Sequence, residues 1–348
     1  MATTTLTIGN ELLSTTMHIV MKEWRDNIYT STAFLEAQTR IHGEGGPTQA
    51  GGTRIVQPLG FGEHSNTTRL QTGYERIDLS VSDVFQPAVY DFAHVVRPIA
   101  ISAEEELTNQ GDAAILSILE NRVTSVANAL KREYVKHMVQ GSVTGWDDWN
   151  TLNGIDVTNG FLEPAAAAGG SQAASVGGVS KSTFSSKTGW NNQFFNGSDS
   201  FNSNGLAGLY DLMVEINAVS AQGNPNVILA SRAGFKNLKR SLQASERYMD
   251  EKSLDGGKMS TTFQGVPIDV EYYMPNAGGT STATEASFYM LNMNDIYTLW
   301  DPKGYFDLSD FETVSGEYDV RAAKLRVRGQ LIAKHLGSSG LAVNLDTF

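Results

Sequence analysis

The chain of 348 residues contains no cysteine. That excludes disulfides, thiolate metal sites and a cysteine nucleophile. Charged residues are sparse, at 18% of the chain, and acidic ones dominate: 38 Asp and Glu against 26 Lys and Arg give a formal charge of -12. Tight wrapping of duplex DNA needs Lys and Arg on the phosphates, so this balance argues against it. No apolar run approaches the ~18 residues of a membrane helix, and none follows Met1, so neither a membrane span nor a signal peptide is expected. His18, His42, His64, His94, His137 and His335 are widely separated, without an HExxH pair, which removes the usual signature of zinc catalysis.

Other chemical motifs fail on inspection. GVSKST (178–183) lacks the glycine before Lys181 and the leading strand that a phosphate loop requires. GFGEH (60–64) lacks the third glycine of a dinucleotide fingerprint, and no GxSxG elbow is present. The glycosylation triplets at Asn66 and Asn196 carry little meaning without a signal peptide. Asp147 and Asp148, between Trp146 and Trp149, could face a cation, but a turn with the tryptophan rings packed beneath it explains them better. No catalytic, metal-binding or cofactor-binding residue is named, no cofactor is expected, and the chain reads as a protein that is not an enzyme.

What is present is 41% hydrophobic residues, enough for a sizeable core and, at this length, about two domains. After a Thr-rich start, Leu13, Met17, Val20, Trp24 and Ile28 recur at helical spacing. HGEGGPTQAGG (42–52) is a loop. Residues 54–101 read as a long β excursion, with Ile77, Leu79 and Val81 alternating. So few bulky residues cannot bury such an arm on itself, so it should lie on something else; Arg54, Arg69, Arg76, Asp78, Asp83 and Asp91 give it a mixed-charge surface suited to partner contacts. Replacing Thr53–Phe92 by a linker should leave a folded body.

Ser102 and Glu105 form a capping box. Leu116, Leu119, Val123, Val126, Leu130, Tyr134 and Met138 then mark a helix of about 40 Å, capped by Asp112 and stopped at Gly141. A flexible Ala/Gly stretch (165–178) and an Asn- and aromatic-rich loop or short hairpin (189–205) follow. Leu206–Gln222 is predicted helical, Asn226–Ala230 a buried strand, and Arg232–Gln243 a helix capped by Ser231. TFQGVPIDVEYYMPN (262–276) alternates as one strand, with Val266, Ile268, Val270 and Tyr272 on one face and Pro267, Asp269, Glu271 and Tyr273 on the other. Pro267 belongs at its start or on an edge, and Pro275 ends it. Ser287–Trp300 reads as a strand pair. In YDVRAAKLRVRGQLIAK (318–334), Arg321, Lys324, Arg326, Arg328 and Lys334 alternate outward, or meet acidic patches; Asp295, Asp301, Asp307 and Asp310 lie just upstream.

This order of elements resembles the major capsid proteins of tailed phages, the Hong Kong 97-type family. The shared features are the polar arm, long β excursion, capped short helix, long helix ending in glycine, the unit VILASRAGFKNLKRSL, the G-V-P strand ending in M-P, and VRAAKLRVRGQLI. The resemblance implies an α+β fold with an N-terminal arm (1–52), an E-loop hairpin (53–92), a P domain (93–145, spine helix 112–140), an A domain (146–300) and a return to the P domain (301–348). It implies a coat protein of the icosahedral head of a double-stranded DNA phage, found in the virion and assembled in the bacterial cytoplasm. Its partners would be further copies of itself in pentamers and hexamers, a separate scaffolding protein, a portal, an added decoration protein and packaged DNA contacted non-specifically, with no membrane. An in-chain scaffolding segment is expected to be absent. The family's covalent variant uses an E-loop lysine; here no lysine stands between Lys22 and Lys131, so non-covalent contacts are expected. The alternatives are an encapsulin-type bacterial compartment and, from another class, an enzyme with an unrecognised site.

Overall fold

A computed structural model of the chain describes residues 32–61, 84–108, 118–141, 143–154, 160–163, 175–181, 190–197, 201–220, 223–242, 261–274, 286–313 and 319–345, with single positions between 66 and 80. The helix expected over residues 11–28 and the cap at Asp112 lie outside the described residues. The elements in chain order are α1 (Ala33–His42), β1 (Arg54–Gly60), β2 (Phe85–Asp91), β3 (Ala93–Ser102), α2 (Ala103–Thr108), α3 (Ile118–Gln140), β4 (Thr151–Asn153), β5 (Gly160–Leu162), β6 (Ser175–Val176), β7 (Val179–Ser180) and β8 (Gln193–Asn196). A π-turn at Phe201–Gly205 leads into α4 (Leu206–Val219), then β9 (Val227–Ala230), α5 (Arg232–Leu242), β10 (Thr261–Phe263), β11 (Val266–Val270), β12 (Ala286–Leu291), β13 (Ile296–Trp300), β14 (Asp307–Leu308), β15 (Glu312–Thr313), β16 (Val320–Ala333) and β17 (Gly340–Val343).

The first sheet is organised around β16. β3 pairs antiparallel with it from Val320↔Ser102 to Gly329↔Ala93, while β13, β14 and β15 also pair with it. Lys324 and Arg328 direct their backbone groups to Ser309, Gly304 and Asp301, which places these partners on the flank away from β3. Ala323, Leu325 and Val327 alternate into the core. The intervening arginines find the upstream aspartates, as their sequence position allowed: Arg326 pairs with Asp307 at 2.7 Å and Arg328 with Asp301 at 2.6 Å.

The long helix α3 presents Leu130, Tyr134 and Met138 to the same core. Tyr134 is its hub, with ring centroids 5.9, 5.8 and 5.2 Å from Trp146, Trp149 and Trp300. Its hydroxyl lies 2.6 Å from Thr298 Oγ1. The WDDW segment is thus a turn with both indoles buried, and Gly141, at φ 77°, ends the helix. The capping box holds in both directions at 3.3 Å.

The second sheet runs β10-β11-β9-β12-β17-β8. Its cluster combines Leu209, Leu212, Met213 and Ile216 of α4 with Leu238 of α5 and Ile228, Ile268, Phe288 and Met290 of the strands. Ser231 Oγ accepts the Gly234 N–H at 2.9 Å, the expected cap of α5.

Several expectations need correction. TFQGVPIDVEYYMPN is not one strand but a hairpin: Gln264 and Gly265 turn at φ 51° and 82° between β10 and β11. Pro267 is not on an edge, because β11 lies between β10 and β9; the ladder with β9 starts one residue later, at Ile268. The strand stops at Val270, and Glu271, expected on the polar face, is fully buried. β12 and β13 do not pair with each other. A turn in which Asn292 O accepts the Asp295 and Ile296 N–H groups hands the chain from one sheet to the other. The Asn-rich stretch expected as loop or hairpin supplies β8, which pairs in parallel with β17. A division at residue 300 does not coincide with the sheets, since β13 belongs to the β16 sheet and β17 to the other.

Candidate intersubunit surfaces

The β1–β2 hairpin is in full antiparallel register from Arg54↔Asp91 to Gly60↔Phe85. One face of its base is anchored. Ile55, Leu59, Ala88 and Tyr90 are buried in the main core, and the Tyr90 hydroxyl donates to Ala333 O at 3.1 Å. Phe61 meets Trp190 edge-on at 5.6 Å. The β6–β7 hairpin grips the outer side, with Gly177 O accepting the Val89 N–H at 2.9 Å. The expectation that this arm lies wholly on another molecule therefore fails for its base: Ile55 and Leu59 of β1 and Ala88 and Tyr90 of β2 are core.

The rest is different. Val56 is 59% exposed, Phe85 78%, Ile77 55%, Leu79 85% and Tyr74 97%. Large apolar side chains left exposed within one stretch of chain make it a candidate contact surface. A second apolar surface is Leu206, Tyr210 and Val214, all exposed, one α4 turn apart on the face opposite the core. The sequence carried this stripe, but the stronger core stripe of the same helix hid it.

Of the six charged residues expected at an interface, Arg54 and Asp91 bind each other across the hairpin at 2.8 Å. Both are mostly exposed, so the pair is worth about 0–1 kcal/mol. Arg69 and Arg76 are exposed. Asp78 and Asp83 lie outside the described residues. The structure thus brings two of the six together, and the exposed apolar side chains add what the charge-based reading missed.

Buried polar groups sit elsewhere. Lys181 and Glu163 are both fully enclosed, with Nζ 3.4 Å from Oε1, and Nζ donates to Phe161 O at 2.5 Å. Burial pushes the amine down to about 8 against the pull of Glu163, and pushes the Glu163 carboxyl up. Burial also raises the Glu271 carboxyl to about 7, although backbone N–H groups of Phe34, Tyr273 and Tyr272 stabilise its charge. His137 is a core residue, its Nε2 3.0 Å from Trp149 O and its basicity lowered by burial. Among the described residues no three His, Asp or Glu side chains group to hold a metal ion, and no helix is long and apolar enough to cross a membrane.

No protein-family model matches the sequence, and no curated protein matches it. Solved structures do match. The capsid asymmetric unit of cyanophage A-1(L) superposes with a TM-score of 0.64 at 12% identity, over 97% of this chain and 98% of that one. The capsid of an empty GTA particle gives 0.63 at 13% identity, over 97% and 98%. An encapsulin, in the holo-SrpI complex from Synechococcus elongatus PCC 7942, gives 0.59 at 9% identity, over 98% and 97%. The chain has the Hong Kong 97-type capsid fold.

Proposed function

We propose that the chain is the major capsid protein of a tailed phage, a structural protomer without catalytic activity that assembles into an icosahedral head around double-stranded DNA. The observation that carries this reading is the E-loop. Its base is locked into the protomer core by Tyr90, Ile55 and Leu59, while Phe85, Tyr74, Ile77 and Leu79 project unburied. A rigidly based arm with an exposed apolar surface fits a neighbour's surface, not its own body. Many such contacts, each modest, hold a closed shell through multivalency. The acidic balance of the chain suits a wall along which packaged DNA slides without sticking. A separate scaffolding protein, a portal and a decoration protein complete the proposed assembly, which forms in the host cytoplasm and ends in the virion.

An encapsulin-type compartment is the second reading, favoured by the full-length superposition on a shell of that kind. One experiment addresses both. Expressed protein, with its scaffold if needed, is sedimented and imaged by negative stain. Closed shells or capsomers are expected; a monomer under every condition rejects the shell reading. Particles purified from infected or lysogenic cells are expected to hold DNA, whereas particles filled with an enzyme and lacking nucleic acid would select the compartment.

A further inference from the structure

The chain is acidic as a whole, but one of its helices is not. α5 (RAGFKNLKRSL) carries Arg232, Lys236, Lys239 and Arg240 and no Asp or Glu, in a chain of net charge -12. The helix is held firmly on its apolar side. Leu238 is fully buried, Asn237 Nδ2 donates to Leu345 O at 3.1 Å, and a Cβ on Gly234 would lie 2.9 Å from Phe288 Cε2. That packing fixes which residues face out. Arg232, Lys236 and Arg240 are the exposed positions of α5, with Lys239 half-buried beside them. α4 packs on the same sheet face and carries Asp211 and Glu215 with no basic residue, so the cationic row is local to α5.

The placement of these cations does not serve the helix. An α-helix favours acidic residues in its first turn, where its dipole is positive. Here the first turn holds no acid and opens on Arg232. The Arg232 guanidinium stacks instead on the ring of Tyr272, 4.7 Å from its centroid, just beyond β11. Lys236 has no ion-pair partner among the described residues. Positions 232, 236 and 240 recur every four residues, so they share one face and lie about 6 Å apart along the axis.

A regular row of exposed cations suits a polyanion, and its surroundings favour one kind. A protein contact needs an apolar centre and is poor in lysine. Every exposed position of α5 is charged, and the Tyr272 ring beside it is taken by Arg232. A sugar–phosphate backbone asks only for spaced cations, and contacts to it carry no sequence information.

We infer that Arg232, Lys236 and Arg240 form a contact for the phosphates of duplex DNA, made without reading its sequence. In the head proposed above, and resting on that reading, this row is where a protomer touches the packaged duplex. The acidic bulk of the chain repels the duplex, and three cations per protomer give it a footing too small for tight binding. With about three phosphates engaged, affinity falls with salt at a log–log slope of about -3.

The test is binding of a labelled duplex of about 20 base pairs to the full chain, followed by fluorescence anisotropy between about 20 and 200 mM salt. The triple variant Arg232→Gln, Lys236→Gln, Arg240→Gln is expected to bind about tenfold more weakly or worse, with a flatter salt slope. Its melting temperature is expected within about 2 °C of the parent, since all three side chains are on the surface. Lys236→Gln alone, which breaks no ion pair, is expected to lower the slope by about one. A control with Arg69→Gln, Arg76→Gln and Lys324→Gln, exposed elsewhere, changes net charge equally and is expected to stay within about twofold of the parent. Unchanged affinity in the α5 triple variant, an equal loss in the control, or no binding by the parent at the lowest salt overturns the inference. So does a polyglutamate peptide that binds the row as tightly as the duplex, which would assign it to an acidic protein. A parent that binds duplex through α5 but never forms shells removes the head as the setting and leaves the phosphate contact standing.

Discussion

Glu271 Oε2 accepts the backbone N–H of Phe34 at 3.0 Å, joining the end of β11 to the first turn of α1 across 237 residues of sequence. Arg40, near the other end of α1, pairs with Asp269 at 3.3 Å. Both carboxylates belong to one short stretch of chain, so this stretch fixes the helix that leads out of the N-terminal arm.

The pH dependence of stability follows from Glu271. Burial raises its folded-state pKa from 4.5 to about 7, so the folded protein holds its proton more tightly than the unfolded chain. The stabilisation is fully present below pH 4.5 and is lost as pH rises through about 7. Fully developed, a shift of this size corresponds to about 3 kcal/mol. Urea unfolding from pH 4.5 to 8 should show the parent losing stability over this range, and Glu271→Gln should flatten the slope. Glu271→Ala removes the acceptor for Phe34 and should cost about 1–3 kcal/mol at pH 4.5, and less as pH rises, because it also removes the titrating group. An unchanged pH slope in Glu271→Gln would rule out this carboxyl as the source.

Lys181 and Glu163 yield a prediction about coupling. Neither reaches solvent, so removing one partner strands the other. Lys181→Met should destabilise the protomer by about 3–5 kcal/mol, whereas Lys181→Met with Glu163→Leu should recover most of that loss. Thermal or urea unfolding of these two variants and of Glu163→Leu alone checks the cycle. Additive losses in the double variant would show that the two groups do not stabilise each other.

Much of the fold was legible because its periodicities are strong. The 3.6-residue stripe ending at Met138, the apolar run Val227–Ala230 and the alternation through Val327 each survive in the structure. What stayed hidden was non-local. Nothing in residues 287–300 says that β12 and β13 join different sheets, since both are buried on all sides and read alike. Glu271 continues the polar face of a strand until the strand is seen to stop at Val270. At the candidate intersubunit surface the charged residues stand out by type. The exposed Phe85, Leu79 and Tyr74 read as ordinary strand residues, because exposure is a property of the folded arm and not of its composition.

The hairpin base gives a test that separates folding from assembly. Gly177 sits at φ +59°, and a Cβ there would lie 2.8 Å from Ala88 Cβ and 3.0 Å from Tyr90 Cζ. Gly177→Val should therefore displace β2 at its root and tilt the arm, lowering shell yield severely while the body remains folded. Excising all of 53–92 would instead remove Ile55, Leu59, Ala88 and Tyr90 from the core and unfold the protomer. A Gly-Ser bridge in place of residues 62–84 keeps the base, and loop closure changes by only about a kcal/mol. That variant should show parent-like circular dichroism and a cooperative melt, with no regular shells. Regular shells from it would show that the distal arm has no role between subunits.

The last prediction concerns what holds the assembled shell. No lysine lies between residues 22 and 131, so the arm of residues 53–92 offers no amine for an isopeptide bond. Arg54, Arg69 and Arg76 cannot replace it, because a guanidinium remains protonated and is a poor nucleophile. The described lysine with a depressed pKa, Lys181, is sealed inside its own protomer, and the chain has no cysteine. Cohesion of the proposed shell is then expected to rest on apolar contacts of residues such as Phe85 and Leu79, and on charge pairs worth about 0–1 kcal/mol each at an exposed surface. Salt should weaken the last of these, because ions screen exposed charges over about 10 Å at 0.1 M. Particles boiled in detergent should run as a single band near 37.7 kDa, and intact particles should dissociate at lower denaturant concentration as salt is raised. A ladder of multimers on the gel, with a linked lysine peptide found by mass spectrometry, would show instead that a covalent bond joins the subunits.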